Sequence, residues 1–359
     1  MSLLQKLKKN SKIEFTSELN KSKFFTAKDQ VSTAVPMVNV ALSGKLDGGL
    51  SSGLTVLAGP SKHFKTAFSL LMAKAYLDKY PDAVMLFYDS EFGTPQAYFD
   101  SFGIDTARVL HTPIVDVEQL KFDVVGQLEG LERGEKVIIV IDSVGNLASK
   151  KELEDALNEK SVADMSRAKA LKGLFRMITP YLTMKDVPMV AVNHTYKEIG
   201  LFPKDIVGGG TGIYYSADNI WIIGRQQDKV GTEIQGYHFI INIEKSRYVR
   251  EKSKIPISVS YDGGIMKYSG LLDIALVTGH VIKPSNGWYQ LVDKETGEMI
   301  GNKVREKETQ TAGFWKDILA SESFQTAVAE MYTVGHRSML DDAQAELVEE
   351  DEEYVDGNE

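Results

Sequence analysis

The stretch Gly59-Pro60-Ser61-Lys62-His63-Phe64-Lys65-Thr66 constrains the fold more than any other part of this chain. The apolar run Leu54-Thr55-Val56-Leu57-Ala58 precedes it, and the apolar-rich Ala67-Phe68-Ser69-Leu70-Leu71-Met72-Ala73 follows. That order reads as strand, tight loop, helix. In such a corner backbone N–H groups converge on one spot, and the helix N-terminus adds partial positive charge. A lysine at position 65 reaches outer phosphates, and the hydroxyl of Thr66 is a ligand for Mg²⁺. The phosphate-loop pattern G-x-x-x-x-G-K-[ST] is broken once, because Phe64 stands where its second glycine belongs. Glycine serves there when the backbone needs a conformation that other residues adopt only at a cost. Phe64 therefore predicts a distorted or strained loop. The competing reading is a strand–turn–helix corner that contains Lys-Thr without binding phosphate.

The segments downstream decide between these readings. Strand and helix patterns alternate, which predicts a mostly parallel sheet covered by helices. Residues 83–88, 137–141 and 188–192 are near-continuous apolar runs, as strands buried on both faces should be. Residues 117–131 read as an amphipathic helix, and 152–180 as a helical pattern ended near Pro180. Residues 219–223 and 237–243 follow without a helix between them, which predicts an antiparallel extension. Beyond Gly270 come a short helix at 271–276, a hairpin built on 288–292 and 299–300, and helical segments within 312–334.

Each buried run ends in polar residues, and open α/β sheets bind ligands outside the carboxyl ends of their strands. The 83–88 run ends in Asp89-Ser90-Glu91, and the 137–141 run in Asp142-Ser143. An aspartate closing five aliphatics downstream of a phosphate loop reads as the carboxylate that helps hold Mg²⁺, often through water. Its simpler reading is a turn cap. Glu91 is the candidate for positioning an attacking water, since phosphoryl transfer is mostly positioning and charge stabilisation. Asn193-His194 closes the 188–192 run, and an imidazole there is placed to sense a terminal phosphate. Two loops then carry lysines and glycines. One follows Ser143 and includes Lys150, Lys151 and Lys160; the other spans 195–212 with Lys197, Lys204 and Gly208-Gly209-Gly210. Such composition suits backbone contacts with single-stranded nucleic acid, and a lid over a nucleotide would look similar. Lys245 and Arg247 follow a late strand and read either as a solvated edge or as cations set against phosphate.

Composition adds exclusions. The chain has no cysteine, which removes disulfides, thiolate nucleophiles and cysteine metal sites. No apolar run approaches a membrane span. The net charge of −9 is an uneven average, because residues 341–359 hold ten acidic residues and no Lys or Arg. Residues 1–340 are thus near neutral, and the acidic tail reads as a solubiliser or as a competitor for a basic surface. Residues 1–30 read as a helix and linker, packing on their own core or docking on a neighbouring subunit.

The order of these motifs resembles the RecA-class strand-exchange recombinases. Residues 86–93, Leu-Phe-Tyr-Asp-Ser-Glu-Phe-Gly, and 142–151, Asp-Ser-Val-Gly-Asn-Leu-Ala-Ser-Lys-Lys, are similar to the branch found in T-even-like bacteriophages, as are Asn193-His194-Thr195-Tyr196 and Gly287-Trp288-Tyr289. The resemblance covers nearly the whole chain. It implies an α/β fold: a RecA-like P-loop ATPase core over 31–270, an N-terminal helical arm over 1–30, a small α+β C-terminal domain over 271–340 and a disordered acidic tail. It implies ATP and Mg²⁺ as cofactors. Gly59 to Thr66 would bind the phosphates, Tyr98 would stack on adenine, and Thr66 and Asp142 would serve the metal. Glu91 would be the catalytic carboxylate, supported by Lys65, His194 and, from an adjacent subunit, Lys245 and Arg247. The implied partners are single-stranded DNA, homologous double-stranded DNA, further copies in a head-to-tail helical filament, a loading protein and a single-strand-binding protein, with no membrane. The implied location is the bacterial host cytoplasm. His194 departs from the glutamine of bacterial members, and both side chains can hydrogen-bond a phosphate oxygen. A ring-forming helicase, or a DNA scaffold that binds ATP without turning it over, are the alternatives.

Overall fold

The computed structural model describes residues 1–24, 28–158, 165–198, 200 and 203–335. The acidic tail and Lys160 lie outside the described residues. Strands β1 (Gly53–Ala58), β2 (Val84–Asp89), β3 (Val109–Pro113), β4 (Val137–Asp142) and β5 (Pro188–Asn193) precede a short hairpin, β6 (Thr195–Lys197) and β7 (Asp205–Val207). Then come β8 (Asn219–Val230), β9 (Glu233–Ser246), β10 (Lys254–Ser260) and β11 (Gly264–Ile265). Among the described residues the main sheet has nine strands in the order β11-β10-β9-β8-β1-β5-β4-β2-β3. From β3 to β8 the pairings are parallel, and from β8 to β11 antiparallel. The expected antiparallel extension is present and longer than its apolar runs suggested. Strand β3 escaped the sequence reading because it is short, sits at the sheet edge and closes on Pro113, a residue tolerated there.

Alternate side chains of the central strands enter two cores, which explains their unbroken apolar runs. Met85, Phe87, Ile138, Val140 and Val190 join one core with helix α3 (Lys65–Lys79). Leu86, Tyr88, Ile139, Ile141 and Met189 join the other with α5 (Val117–Gly130) and α7 (Ser166–Lys185). Helix α5 turns Val117, Leu120, Val124 and Leu128 inward, at spacings that trace one face of an α-helix. Helix α4 (Gln96–Ser101) packs beside the end of β2 through Phe99 and Phe87.

Two helices near the N-terminus behave differently. Helix α1 (Leu3–Asn10) has a capping box between Ser2 and Gln5 but buries none of its residues, so Leu3, Leu4 and Leu7 face outward. The reading in which α1 packs on its own core is not realised. Helix α2 (Pro36–Ser43) is buried on all sides, hence without periodicity, and Ala41 O accepts the indole N–H of Trp221 at 3.2 Å.

The helical pattern expected over 152–180 divides into α6 (Lys150–Leu157) and α7, and α7 continues past Pro180 to Lys185. Proline inside a helix removes one N–H and crowds the preceding turn. Pro180 is exposed, so the carbonyl it leaves unmatched faces water, while Ile178 and Leu182 on either side are buried. Asp186, in the left-handed region at φ 63°, ends the helix.

Helix α8 (Thr211–Ser216) lies close on α7, where a Cβ at Gly212 would come within 2.6 Å of Lys172 Cα. At the C-terminal side, α9 (Leu271–Val277), the sheet of β12 (Val281–Ser285), β13 (Trp288–Val292) and β14 (Met299–Arg305), and helices α10 (Ala312–Ala320) and α11 (Glu322–Tyr332) follow. Trp315 and Phe324 enter the same core as α3, and Tyr268 stacks on Trp315 at 6.3 Å. Among the described residues no helix is long and apolar enough to cross a membrane.

Pro180→Ala should raise the unfolding midpoint. An interior helical proline costs about 3 kcal/mol, of which roughly 1 kcal/mol returns through the stiffer unfolded chain, leaving a net gain of about 2 kcal/mol. Thermal melts of the two proteins check this, and an unchanged or lowered midpoint would mean that the proline sits in α7 without a penalty.

Candidate functional site

Parallel register brings the chemically active residues to one level. Ala58 pairs with Asn193 and Asp89 with Asp142, so the ends of β1, β5, β4 and β2 stand along one edge of the sheet. The phosphate-loop residues leave β1 there and enter α3. An open cavity of about 570 Å³ lies over that edge, lined among others by Lys65, Thr66, Glu91, Tyr98, Asp142 and His194.

Phe64 occupies the left-handed region, with φ 62° and ψ 17°. That is the conformation for which the loop pattern uses glycine, so the expectation of strain holds. The cost for a residue with a Cβ is roughly 1–2 kcal/mol. The Phe64 ring offsets it by stacking on Phe239, with centroids 4.8 Å apart and planes 19° apart, and by meeting the edge of Phe68 at 5.6 Å. Lys62 is also left-handed, at φ 61°, and its carbonyl accepts from Arg225 Nη1 at 3.2 Å. The Arg225 guanidinium in turn lies 4.7 Å from the centre of the Tyr237 ring.

The residues present fit a nucleotide phosphate and a divalent cation. Lys65 Nζ donates to Pro60 O at 2.7 Å, and burial holds its pKa below the usual lysine range. Thr66 Oγ1 donates to Asp142 Oδ2 at 2.7 Å, while the buried Oδ1 of Asp142 has no hydrogen-bond partner. A buried carboxylate oxygen without a donor is costly unless a ligand completes it. Desolvation pushes Asp142 up to about 6, opposed by the Thr66 hydroxyl and reinforced by the Glu91 charge.

Glu91 is held from three sides. Its backbone N–H and that of Phe92 donate to Asp89 Oδ1 at 3.0 and 2.8 Å, a turn that fixes the direction in which Glu91 leaves β2. Ser143 Oγ donates to Glu91 Oε1 at 2.5 Å, and His194 Nε2 lies 3.1 Å from the same oxygen. The histidine contact is the main reason that the Glu91 carboxyl is held below its usual pKa, with desolvation acting against it. Glu91 therefore stays ionised at neutral pH. His194 also joins the base of the second loop: Gly208 N donates to His194 O at 2.9 Å, and Asn193 Nδ2 donates to Gly208 O at 2.8 Å.

Tyr98 lines the cavity with Gly93 and Thr94, as does an aromatic wall of Tyr237, Phe239 and Tyr261. Sequence reasoning missed that wall, along with Arg225, Ser143 and the turn made by Asp89. Only Asp89 and Ser143 carried a signal, as polar residues at strand ends. The wall comes from β9 and the turn just after β10, strands that pair locally but are distant from the loop in sequence.

The remaining candidates stand apart from the cavity. Lys245 and Arg247 do not line it: Lys245 Nζ donates to Tyr214 O at 2.7 Å, and Arg247 Nε pairs with Asp218 Oδ1 at 2.5 Å. Lys150 begins α6, where its N–H donates to Glu118 Oε2 at 2.9 Å, and Lys151 pairs with Asp155 at 3.0 Å. Lys197 pairs with Asp205 at 2.8 Å across the β6–β7 hairpin, which also includes the Glu198 N–H to Lys204 O bond at 2.9 Å. The second loop, expected to be without regular structure, is therefore partly a β-hairpin, because short alternating runs at 195–197 and 205–207 pair once the chain doubles back. Gly209 and Gly210, both at positive φ, connect that hairpin to α8.

The RecA N-terminal domain family matches residues 4–266. The chain belongs to the RecA family. Residues 268–328 match the family described as the C-terminal domain of the bacteriophage T4 recombination and repair protein. Over 351 residues the chain is 53% identical to the recombination and repair protein of Enterobacteria phage T4, covering 97% of this chain and 90% of that one. It is 27% identical over 278 residues to Protein RecA of Tropheryma whipplei, covering 76% and 61% of the two chains. Protein RecA of Paenarthrobacter aurescens is 26% identical over 282 residues, covering 76% and 77%. The resemblance to phage recombinases drawn from the motifs is thus borne out, and the chain is a RecA-family recombinase of the recombination and repair class. The RecA match spans all nine strands of the main sheet, antiparallel as well as parallel, and the T4-type C-terminal family begins at the approach to α9.

Two outcomes follow from the geometry. Phe64→Gly relieves the left-handed strain but loses a ring whose burial and stacking contribute about 2–4 kcal/mol. Phe64→Ala loses the ring and keeps the strain. Melting temperatures should fall in the order wild type, Phe64→Gly, Phe64→Ala, and an alanine variant as stable as the glycine variant would show that residue 64 does not need positive φ.

Asp142 has a folded pKa above its usual 3.8, so the folded state binds the extra proton between pH 3.8 and about 6, and this contribution to stability declines as pH rises through that window. Asp142→Asn should stabilise the nucleotide-free protein above pH 6 by up to about 3 kcal/mol, with the gain vanishing below pH 4. Denaturant unfolding at pH 7.5 and 4 reads both limits; a gain independent of pH would locate its cause elsewhere.

Proposed function

We propose that this protein is an ATP-dependent recombinase that assembles head to tail on single-stranded DNA and pairs it with homologous duplex DNA. The observation that carries this reading is the convergence of Lys65, Thr66, Glu91, Asp142 and His194 on one cavity, with both lysine- and glycine-bearing loops leaving from its floor.

In this reading ATP and Mg²⁺ are bound by residues 59–66 with Thr66 and Asp142, and Tyr98 faces adenine. Charge neutralisation at the phosphate oxygens is the chemistry that Mg²⁺ supplies when bound. Lys65 exchanges the Pro60 carbonyl for phosphate, a better partner for a half-desolvated ammonium. Glu91, ionised and fixed by Ser143 and His194, orients the attacking water rather than holding a proton firmly, since its pKa is lowered. DNA-stimulated ATP hydrolysis is the resulting activity.

Lys245 and Arg247 are assigned to the site of the adjacent subunit. Their present partners are a pair of carbonyls and the Asp218 carboxylate, and the half-exposed Arg247 can exchange the latter for a phosphate. Helix α1, with its leucines outward, supplies the docking arm between copies. Because the interface is heterologous, it propagates into a helical filament rather than closing as a pair. The loop bearing Lys150, Lys151 and Lys160 and the loop bearing Lys197, Lys204 and Gly208 to Gly210 contact the DNA backbone, so affinity falls steeply with salt. Strand exchange breaks no covalent bond in DNA, and base pairing tests homology. A loading protein and a single-strand-binding protein are the expected partners, in the cytoplasm of a bacterial host.

Hydrolysis measured with and without single-stranded DNA tests this. Glu91→Gln and Arg247→Ala should each lose the DNA-stimulated rate. An equal mixture of the two should recover about a quarter of it, the share of interfaces that combine one intact half from each variant. No recovery in the mixture, with the wild type active, would remove the shared-site reading, and hydrolysis unaffected by either change would remove the assigned roles.

A further inference from the structure

The first loop approaches the His194 side chain at Gly145. A Cβ built on Gly145 would overlap His194 Cδ2, stand 3.0 Å from Cγ and approach the His194 backbone nitrogen to 3.1 Å. Gly145 has no left-handed φ, so glycine is required here for space and not for backbone freedom. The imidazole of His194 is therefore confined between two contacts: its Cδ2 edge rests on Gly145, and its Nε2 reaches Glu91 Oε1.

Neither backbone is free to give way. Val144 N donates to Val192 O at 3.0 Å, tying the residue before Gly145 to β5. Arg167, in the first turn of α7, donates to Gly145 O at 2.7 Å, to Val144 O at 3.1 Å and to Leu147 O at 2.6 Å. On the other side, His194 N donates to Asn193 Oδ1 at 2.8 Å, and His194 O accepts from Gly208 N at 2.9 Å. Packed, hydrogen-bonded segments of this kind do not deform smoothly, so a displacement of either loop base is passed to the side chain between them.

We propose that Gly145 is a positioning residue: it seats the His194 imidazole against Glu91 and makes the loop after β4 a second input, beside the loop after β5, to the carboxylate that orients water. This inference rests on the hydrolytic role proposed for Glu91. A bulkier residue at 145 must expel the imidazole from Glu91, because Arg167 and the β4–β5 pairing hold the backbone in place. Glu91 then keeps only Ser143 as a side-chain partner. Gly145 is not among the residues that line the cavity with the phosphate loop, Thr66 and Asp142, so nucleotide affinity is left intact.

Gly145→Ala, compared with His194→Gln and the double variant, tests this. The alanine variant should lose about tenfold or more in DNA-stimulated kcat, as displacement of a positioned group by an ångström does, with KM for ATP within about twofold of wild type. In the His194→Gln background the alanine should have little further effect, because the narrower, more flexible side chain avoids the added methyl. Loss of kcat that simply multiplies with that of His194→Gln, or no loss at all, overturns the proposal. A structural readout separates it from the role of Glu91. In wild type the His194 ring ¹³C–¹H resonance should shift on Glu91→Gln, and in the Gly145→Ala background that response should disappear. A response kept in full overturns the positioning role even if hydrolysis is lost. A lost response in a protein whose hydrolysis ignores Glu91→Gln leaves Gly145 as the seat of His194 and removes the catalytic assignment instead. If Gly145→Ala does not fold, Arg167→Met, which frees the loop without adding volume, should weaken the same resonance response, and an undiminished response would count against the proposal.

Discussion

Backbone hydrogen bonding along four parallel strands sets the level at which the chemical groups stand. Ala58 is level with Asn193 and Asp89 with Asp142, and the β4–β5 pairing sets Asn193 one residue beyond Asp142, so all four emerge at the carboxyl end of the sheet. A slip of one residue in any of these strands would turn its polar end away from the cavity and move its apolar set to the wrong core. The two cores resist such a slip, because successive side chains of each strand are committed to opposite faces. Site geometry is in this sense a by-product of burial.

That scaffold tolerates local features that would be unfavourable alone. Phe64 and Lys62 take left-handed conformations within three residues of each other, Asp142 carries an unpartnered buried oxygen, and Lys65 is a desolvated ammonium. The Asp142 oxygen and the Lys65 ammonium are unfavourable without a ligand, and the strain at Phe64 is offset by its stacking on Phe239. Their concentration around one cavity is what a site prepared for phosphate and metal would show, since strain and unmet hydrogen-bonding capacity gather where binding relieves them. Phe239, from an antiparallel strand on the other half of the sheet, stacks on Phe64 and so helps support the loop.

The same arrangement connects chemistry to surface. Glu91 is fixed by Ser143 from the end of β4 and by His194 from the end of β5, and each of those residues begins a loop.

Much of this was legible from residues alone. The phosphate loop, Asp142 at the close of five aliphatics, Glu91 after β2 and His194 after β5 could be placed because local apolar runs fix where strands end, and strand ends fix where polar groups emerge. The break at Phe64 announced the strained turn that the fold contains. What the sequence could not give is what depends on contacts between distant segments. Helix α2 has no periodicity because it is buried all round, and α7 runs through Pro180 because flanking residues are held in a core. The Arg225–Tyr237 wall, the stacking of Phe239 on Phe64 and the seat that Gly145 makes for His194 join residues far apart in the chain. Residue order settles which groups exist and at which strand ends they emerge, because backbone preference and burial act locally. Which of those groups touch is settled in the folded chain, because contact depends on strand order and register.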